Sequence, residues 1–295
     1  MGEEQKTVGL FHQLVVFLDL IKFPHTVFAL PFAFTGAILA AQGIPKWEKG
    51  FWILVAMVGA RTGAMAVNRL VDMDLDALNP RTAQRALPRG LIRPATVMAI
   101  AVGSFALLVF AAAQLNRLCL LLSPVAIALT VFYAYTKRFT SLSHLVLGLC
   151  LACAPIGAWI AVRGRVDLPP LILGLAVLFW VAGFDILYAL ADIESDRTHG
   201  LYSIPARLGA EAGMRVSLGL HIAVPVLLGV VGQLLRLGPL YYLGILFVVM
   251  LLGYEHATMR RHGLQRLEMA FFNVNGLISM TLFTFTLLDA LIIAF

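Results

Sequence analysis

Two stretches of this chain carry carboxylates at helical spacing. In "NRLVDMDLDALNPRT", Asn68, Asp72 and Asp76 recur every four residues, so on an α-helix they share one face, with Asp74 pointing away. In "FDILYALADIESDRTHG", Asp185, Asp192 and Asp196 are spaced by seven and four, again a single face, with Tyr188 beside it. Both stripes end long apolar runs. Ionisable groups inside a membrane span cost roughly 2.5–3.5 kcal/mol each on insertion scales and mark function. Facing carboxylates repel and need a counter-charge. Hard oxygen ligands suit Mg2+, which takes one or two protein carboxylates and leaves room for water and substrate phosphates. Arg81 and Arg85 follow the first stripe, and Lys137 and Arg138 end another apolar run. Carboxylates, a divalent metal and basic side chains together can hold a diphosphate and stabilise its charge as it leaves.

Arg61 lies seven residues before Asn68, on the same helical face and roughly 10 Å deeper. An arginine at that depth faces the interior and pairs with an anion. Two anions qualify: Asp185, the deepest acid of the second stripe, or the carboxylate of a bound aromatic acid. Arg89, Arg93, Arg260, Arg261 and Arg266 read as ordinary charged loops.

These groups need elements to carry them. The chain has 295 residues, 60% of them hydrophobic and 13% charged, about half the charge of a soluble domain; its mean hydropathy is +0.89. A polytopic membrane protein follows. Windows of about 20 apolar residues give nine candidate spans: 23–42, 50–67, 95–115, 117–135, 143–162, 169–191, 214–235, 238–254 and 270–293. The expected fold is therefore all-α, one membrane-embedded domain over 1–295 with nine transmembrane helices. The N-terminal segment lacks a basic n-region and a cleavage site, so it reads as uncleaved. Most of the 22 lysines and arginines fall in the N-terminal segment and in the 68–94, 136–141, 192–213 and 256–268 connections. The positive-inside rule then puts the N-terminus and both stripes at the cytoplasmic side of the cytoplasmic membrane. It also explains the +6 net charge without nucleic acid. Cys150 and Cys153, in C-x-x-C spacing within an apolar run, and Cys119 read as packing residues. A weak echo, D-x-x-x-D followed by Arg-Thr after both the second and sixth spans, hints at a parallel duplication.

The residues also carry a resemblance. "NRLVDMDLDALNPRTAQRALPRG" resembles the N-x-x-x-D-x-x-x-D segment, with trailing R-T-x-x-R-x-L-P-x-G, of the UbiA superfamily of intramembrane aromatic prenyltransferases. "FDILYALADIESDRTHGLYSIPARLG" resembles its second aspartate segment, and "YAYTKRFT" its Y-x-x-x-K-R-x-T stretch. The resemblance covers nearly the whole chain. It implies Mg2+-dependent ionisation of a polyprenyl diphosphate and capture of the allylic cation by an electron-rich ring. Asn68, Asp72, Asp76, Asp192 and Asp196 would hold metal and diphosphate, and Arg81, Arg85 and Lys137 would contact phosphate oxygens. Arg61 and Asp185 match positions associated with the aromatic acceptor, and Tyr188 belongs to the same cavity. The prenyl tail would run between apolar helices in the bilayer. Glu194 and Ser195 stand where members often have further aspartates, and Arg69 where Asp is frequent; both departures bear on metal number. "LIKFPHTVFALPFAFTGA" looks like the 4-hydroxybenzoate polyprenyltransferase branch, which includes bacterial members serving menaquinone synthesis through 1,4-dihydroxy-6-naphthoate. Lys22 and His25 are candidates to line the acceptor cavity or to sit at the interface. The alternative of a different class, a cation-coupled transporter, places ions near mid-membrane on broken helices. The gathering of both stripes at one face with basic partners argues against it.

Overall fold

The computed structural model describes residues 23–266 and 273–293. The N-terminal segment, Lys22, the side chain of His25 and the first residues of the expected last span lie outside what is described. Among the described residues there is no strand. The long helices are α1 Phe23–Ala41, α2 Trp47–Val71, α4 Pro94–Leu115, α5 Arg117–Thr136, α6 Ser143–Arg163, α7 Leu168–Tyr188, α10 Ala210–Leu235, α11 Pro239–His262 and α12 Asn275–Ile293. Three short helices interrupt the connections: α3 Met73–Leu78, α8 Ile193–Thr198 and α9 Ile204–Leu208. Eight helices are long and apolar enough to cross a membrane, and α1 is apolar over Ala29–Ala41. The nine expected spans thus correspond one to one with the rods of the bundle.

Consecutive rods pack on one another, and α12 returns to α1, so the bundle closes on itself; α1 and α6 also cross inside that ring. α7 carries much of the core, with Leu173, Val177, Trp180 and Val181 buried against Trp159 of α6, Leu228 of α10 and Val248 of α11. Apolar surface gains little from leaving lipid, so tight crossings depend on small residues that let backbones approach. Gly59 of α2 is one: a Cβ there would stand 2.7 Å from the Ser104 carbonyl oxygen of α4. Gly148 of α6 lies tighter still on the Leu178 backbone of α7.

Three departures from simple spans matter for the site. The α-helix carrying the first stripe breaks at Asp72 (φ −95°, ψ 4°) and resumes as α3, although Asp72 N–H still bonds the Asn68 carbonyl and Asp76 N–H the Asp72 carbonyl. The second stripe is interrupted by a 3-10 turn over Ala189–Asp192. Each 3-10 residue advances about 20° further than an α-helical one. The four of them shift Asp192 from about 20° on one side of Asp185 to about 60° on the other, so the second stripe is skewed but stays on one broad face. Last, α11 continues to His262 rather than ending near 254, because its Glu255 and His256 are buried against Asn275 and His221.

Candidate active site

The break at Asp72 turns the first motif over the end of the bundle. Asp72 is buried and receives Lys137 Nζ at 2.6 Å. Arg138 Nη1 approaches its other oxygen, Oδ1, at 3.2 Å, but without hydrogen-bond alignment. Arg138 is itself tied to the Val71 carbonyl, so α5 is pinned against the end of α2. Asp76, also buried, accepts from Arg85 at 2.6 Å, with Arg69 at 3.8 Å. Asn68 lines the cavity beneath these groups. Asp74 is exposed, as its spacing predicts.

The following turn delivers Arg81 to the second motif. Asn79 Oδ1 accepts the Arg81 N–H at 2.9 Å, an Asx turn, while Asn79 Nδ2 donates to Asp192 Oδ1. Arg81 then grips Asp192 with two bonds, Nε to Oδ1 at 3.0 Å and Nη2 to Oδ2 at 2.6 Å, and donates through Nη1 to the Tyr188 hydroxyl. Burial alone would lower the Arg81 pKa, but the bonds and charge of Asp192 outweigh it and raise it, so Arg81 is a fixed cation. Asp196 accepts from Ser203 Oγ at 2.8 Å. The two carboxylate motifs therefore meet at one end of the bundle, joined through Asn79 and Arg81. The second motif reaches Lys137 as well, because Tyr202 N–H bonds the Lys137 carbonyl at 2.7 Å.

Below this layer opens a cavity of about 790 Å³. Arg81, Arg85 and Tyr188 stand at its mouth, and Asp185, Arg61 and Tyr133 line it deeper in. It follows α2 from Asn68 to Ile53, about 22 Å at 1.5 Å per residue. Past Arg61 the walls are aliphatic and small: Ala60, Ala112, Ala126 and Ala154 leave room that larger side chains would fill. Cys119, Cys150 and Cys153 are free thiols on this wall.

Arg61 and Asp185 do not pair. Asp185 Oδ2 is taken by His144 Nδ1 at 2.7 Å, and the buried Arg61 Nε has no hydrogen-bond partner. The His144 ring supplies the reason: its bond commits Asp185 to α6, not to α2. Arg61 is left facing the cavity with an unsatisfied donor.

The donor set fits Mg2+. Asp72 Oδ1 and Asp76 Oδ2 are buried oxygens without hydrogen bonds, and buried acceptors of this kind call for a partner. Among the described residues no three His, Cys, Asp or Glu side chains form a ready-made metal group, so the five expected ligands do not make a single protein cage. Mg2+ characteristically binds through one or two carboxylates and completes its shell with phosphate and water. Residues that sequence reasoning passed over here are Asn79, Arg138 in its approach to Asp72, His144 and Ser203. Only Asn79, in the turn sequence Asn-Pro-Arg, carried a local signal.

Residues 29–277 match the model of the UbiA prenyltransferase family. The 4-hydroxybenzoate octaprenyltransferase of Aeromonas salmonicida is 33% identical over 245 residues, covering 80% of this chain and 82% of that protein. The protein of the same name from Vibrio cholerae is 31% identical, covering 81% and 84%. Among solved structures, a UbiA homolog from Aeropyrum pernix K1 superposes with a TM-score of 0.83 at 33% identity, covering 90% of this chain and 98% of that one. A UbiA homolog from Archaeoglobus fulgidus bound to DMAPP and Mg2+ shares the fold, with a TM-score of 0.74 at 17% identity and 94% and 99% coverage.

Proposed function

The chain belongs to the UbiA prenyltransferase family, and from that premise we propose that it transfers a polyprenyl group from a polyprenyl diphosphate to the ring of an aromatic hydroxy acid of the 4-hydroxybenzoate type, in quinone biosynthesis. The observation that carries this reading is the cavity. It opens beneath the layer of paired carboxylates and basic groups, reaches a lone buried guanidinium, and continues past Arg61 as an apolar bore about 12 Å long. A diphosphate at the mouth, an acid on Arg61 and a lipid tail along the bore each meet the chemistry they require.

In this reading Arg81, Arg85 and Lys137 exchange their present carboxylate partners for phosphate oxygens. Asp72 and Asp76, relieved of Lys137 and Arg85, and Asp192 and Asp196, with Asn68 beneath, turn their oxygens to the metal. When bound, Mg2+ neutralises the charge that builds on the diphosphate as the allylic C–O bond breaks. The bond's electron pair leaves with the diphosphate, where the three basic side chains hold it. Arg61 anchors the acceptor's carboxylate by a bidentate pair, and Asp185 and Tyr188 face its ring. The ring carbon closes on the allylic cation and then loses its proton. Aliphatic walls keep water from the cation. The single domain lies in the cytoplasmic membrane with the N-terminus and the mouth on the cytoplasmic side, as the distribution of basic loops supports.

The test uses purified protein, a polyprenyl diphosphate and Mg2+ with 4-hydroxybenzoate and 1,4-dihydroxy-6-naphthoate in separate reactions, products read by mass spectrometry. Prenylated 4-hydroxybenzoate is expected. Product from the naphthoate alone would reassign the acceptor, and no product from any aromatic acid would overturn the proposal.

A further inference from the structure

His144 is a buried histidine in the first turn of α6, and nothing above gives it a task. Its surroundings fix its tautomer. The Ile204 backbone N–H can only donate, and it points at Nε2 from 3.3 Å. Nε2 is then the acceptor, and the neutral ring's hydrogen sits on Nδ1, 2.7 Å from Asp185 Oδ2. A ring nitrogen held by one partner so that the other orients a carboxylate is how histidines commonly position neighbouring groups.

Ile204 is also the last of three consecutive residues with related contacts. Tyr202 N–H bonds the Lys137 carbonyl, Ser203 Oγ bonds Asp196 Oδ2, and Ile204 N–H bonds His144. The strap is firmly seated. Ser203, Ile204, Pro205 and Ala206 are buried, Ser203 Oγ caps α9 by accepting the Ala206 N–H, and Arg197 Nε holds the Ala206 carbonyl at 2.8 Å. One short segment thus touches the lysine and the aspartate of the diphosphate end and, through His144, the carboxylate of the acceptor end.

We propose that His144 is the positioning residue for Asp185, and that the Tyr202–Ile204 strap registers the acceptor end of the cavity against the diphosphate end. The proposal rests on the prenyl-transfer reading. Attack on a short-lived allylic cation demands a close approach of ring and cation, and a misplacement of about 1 Å is enough to cost about a hundredfold. A strap that spans both ends supplies that register; a histidine serving packing alone has no reason to bond two functional partners.

The experiment compares wild type, His144→Gln, His144→Ala and Ile204→Pro by steady-state kinetics, and by calorimetric titration with 4-hydroxybenzoate. Glutamine retains a donor for Asp185 and an acceptor for Ile204. Proline deletes the Ile204 N–H and trims its buried side chain, but the backbone accepts it: Ile204 opens α9, where proline is tolerated, and Ser203 is already extended (φ −136°, ψ 159°), as a residue before proline must be. His144→Ala should lower kcat/KM for the acid up to about a hundredfold with the diphosphate KM unchanged. His144→Gln should recover most of that loss, and Ile204→Pro in the His144→Ala background should add nothing, since both cut one linkage. Wild-type acceptor kinetics in His144→Ala, a glutamine variant as impaired as the alanine one, or additive losses would each overturn the proposal. If His144→Ala does not fold, the other two variants decide: Ile204→Pro with an unchanged acceptor KM and kcat overturns it. Wild type that binds the acid but transfers nothing refutes the prenyl-transfer reading, and the titrations still decide His144. Wild type that binds no acid overturns both.

Discussion

Arg61→Ala separates two accounts of a charge buried in a membrane protein. Arg61 Nε has no hydrogen-bond partner, and the carboxylate expected as its internal counter-ion, Asp185, is bonded to His144. Breaking a buried ion pair costs about 3–5 kcal/mol because it strands the other charge. Arg61 has no such pair with Asp185 to break, so its removal should leave thermal stability unchanged or slightly raised. Acceptor binding should suffer instead. A hydrogen bond to a charged group contributes about 1.5–3 kcal/mol, so a bidentate grip on the acid is worth at least about 3 kcal/mol, roughly a hundredfold in affinity. The assay is initial rate against acid at saturating polyprenyl diphosphate, then the converse, with melting temperature by intrinsic fluorescence. kcat/KM for the acid should fall by about two orders of magnitude or more while the diphosphate KM holds. Unchanged acceptor kinetics with a markedly lower melting temperature would refute the reasoning and return Arg61 to a structural role.

Other outcomes follow from the same geometry. Asp72→Ala and Asp192→Ala should each abolish turnover in folded protein, read by mass spectrometry alongside size-exclusion profile; near-normal activity in either removes its motif from the chemistry. Chelation should silence the enzyme and Mg2+ should restore it, because Lys137 and Arg81, which hold Asp72 and Asp192, are needed for phosphate. Ala60→Phe should narrow the bore and lower kcat/KM for long polyprenyl diphosphates far more than for dimethylallyl diphosphate; equal losses would place the tail elsewhere. Gly59→Leu should push α2 off α4 and destabilise the protein by about 1–3 kcal/mol, seen as a lower melting temperature.

The rods were legible in the sequence because lipid imposes a length and an apolar composition on each of them. The convergence of Asp72 with Asp192 was legible from topology alone, since both motifs end helices that run the same way. What escaped was pairing across distance. His144 precedes Asp185 by 41 positions, and nothing local to either residue announces the bond. The 3-10 turn over "ALAD" carries no glycine or proline to betray it, so helical spacing missed the roughly 80° by which the turn swings Asp192. The end of α11 was read too early because Glu255 and His256 look like loop residues; only their buried partners on α10 and α12 show why the helix continues.

The central claim is that two carboxylate motifs on separate rods share one metal-bound diphosphate. It is tested most directly by Mg2+-dependent binding of a farnesyl thiodiphosphate, whose slow leaving group permits equilibrium titration, to wild type, Asp72→Asn, Asp192→Asn and the double variant. Each single variant should lose the Mg2+-dependent part of the affinity, and the double variant should be little worse than either, because partners gripping one ligand are not additive. Wild-type affinity in one of the single variants, or losses that simply sum, would contradict a shared site.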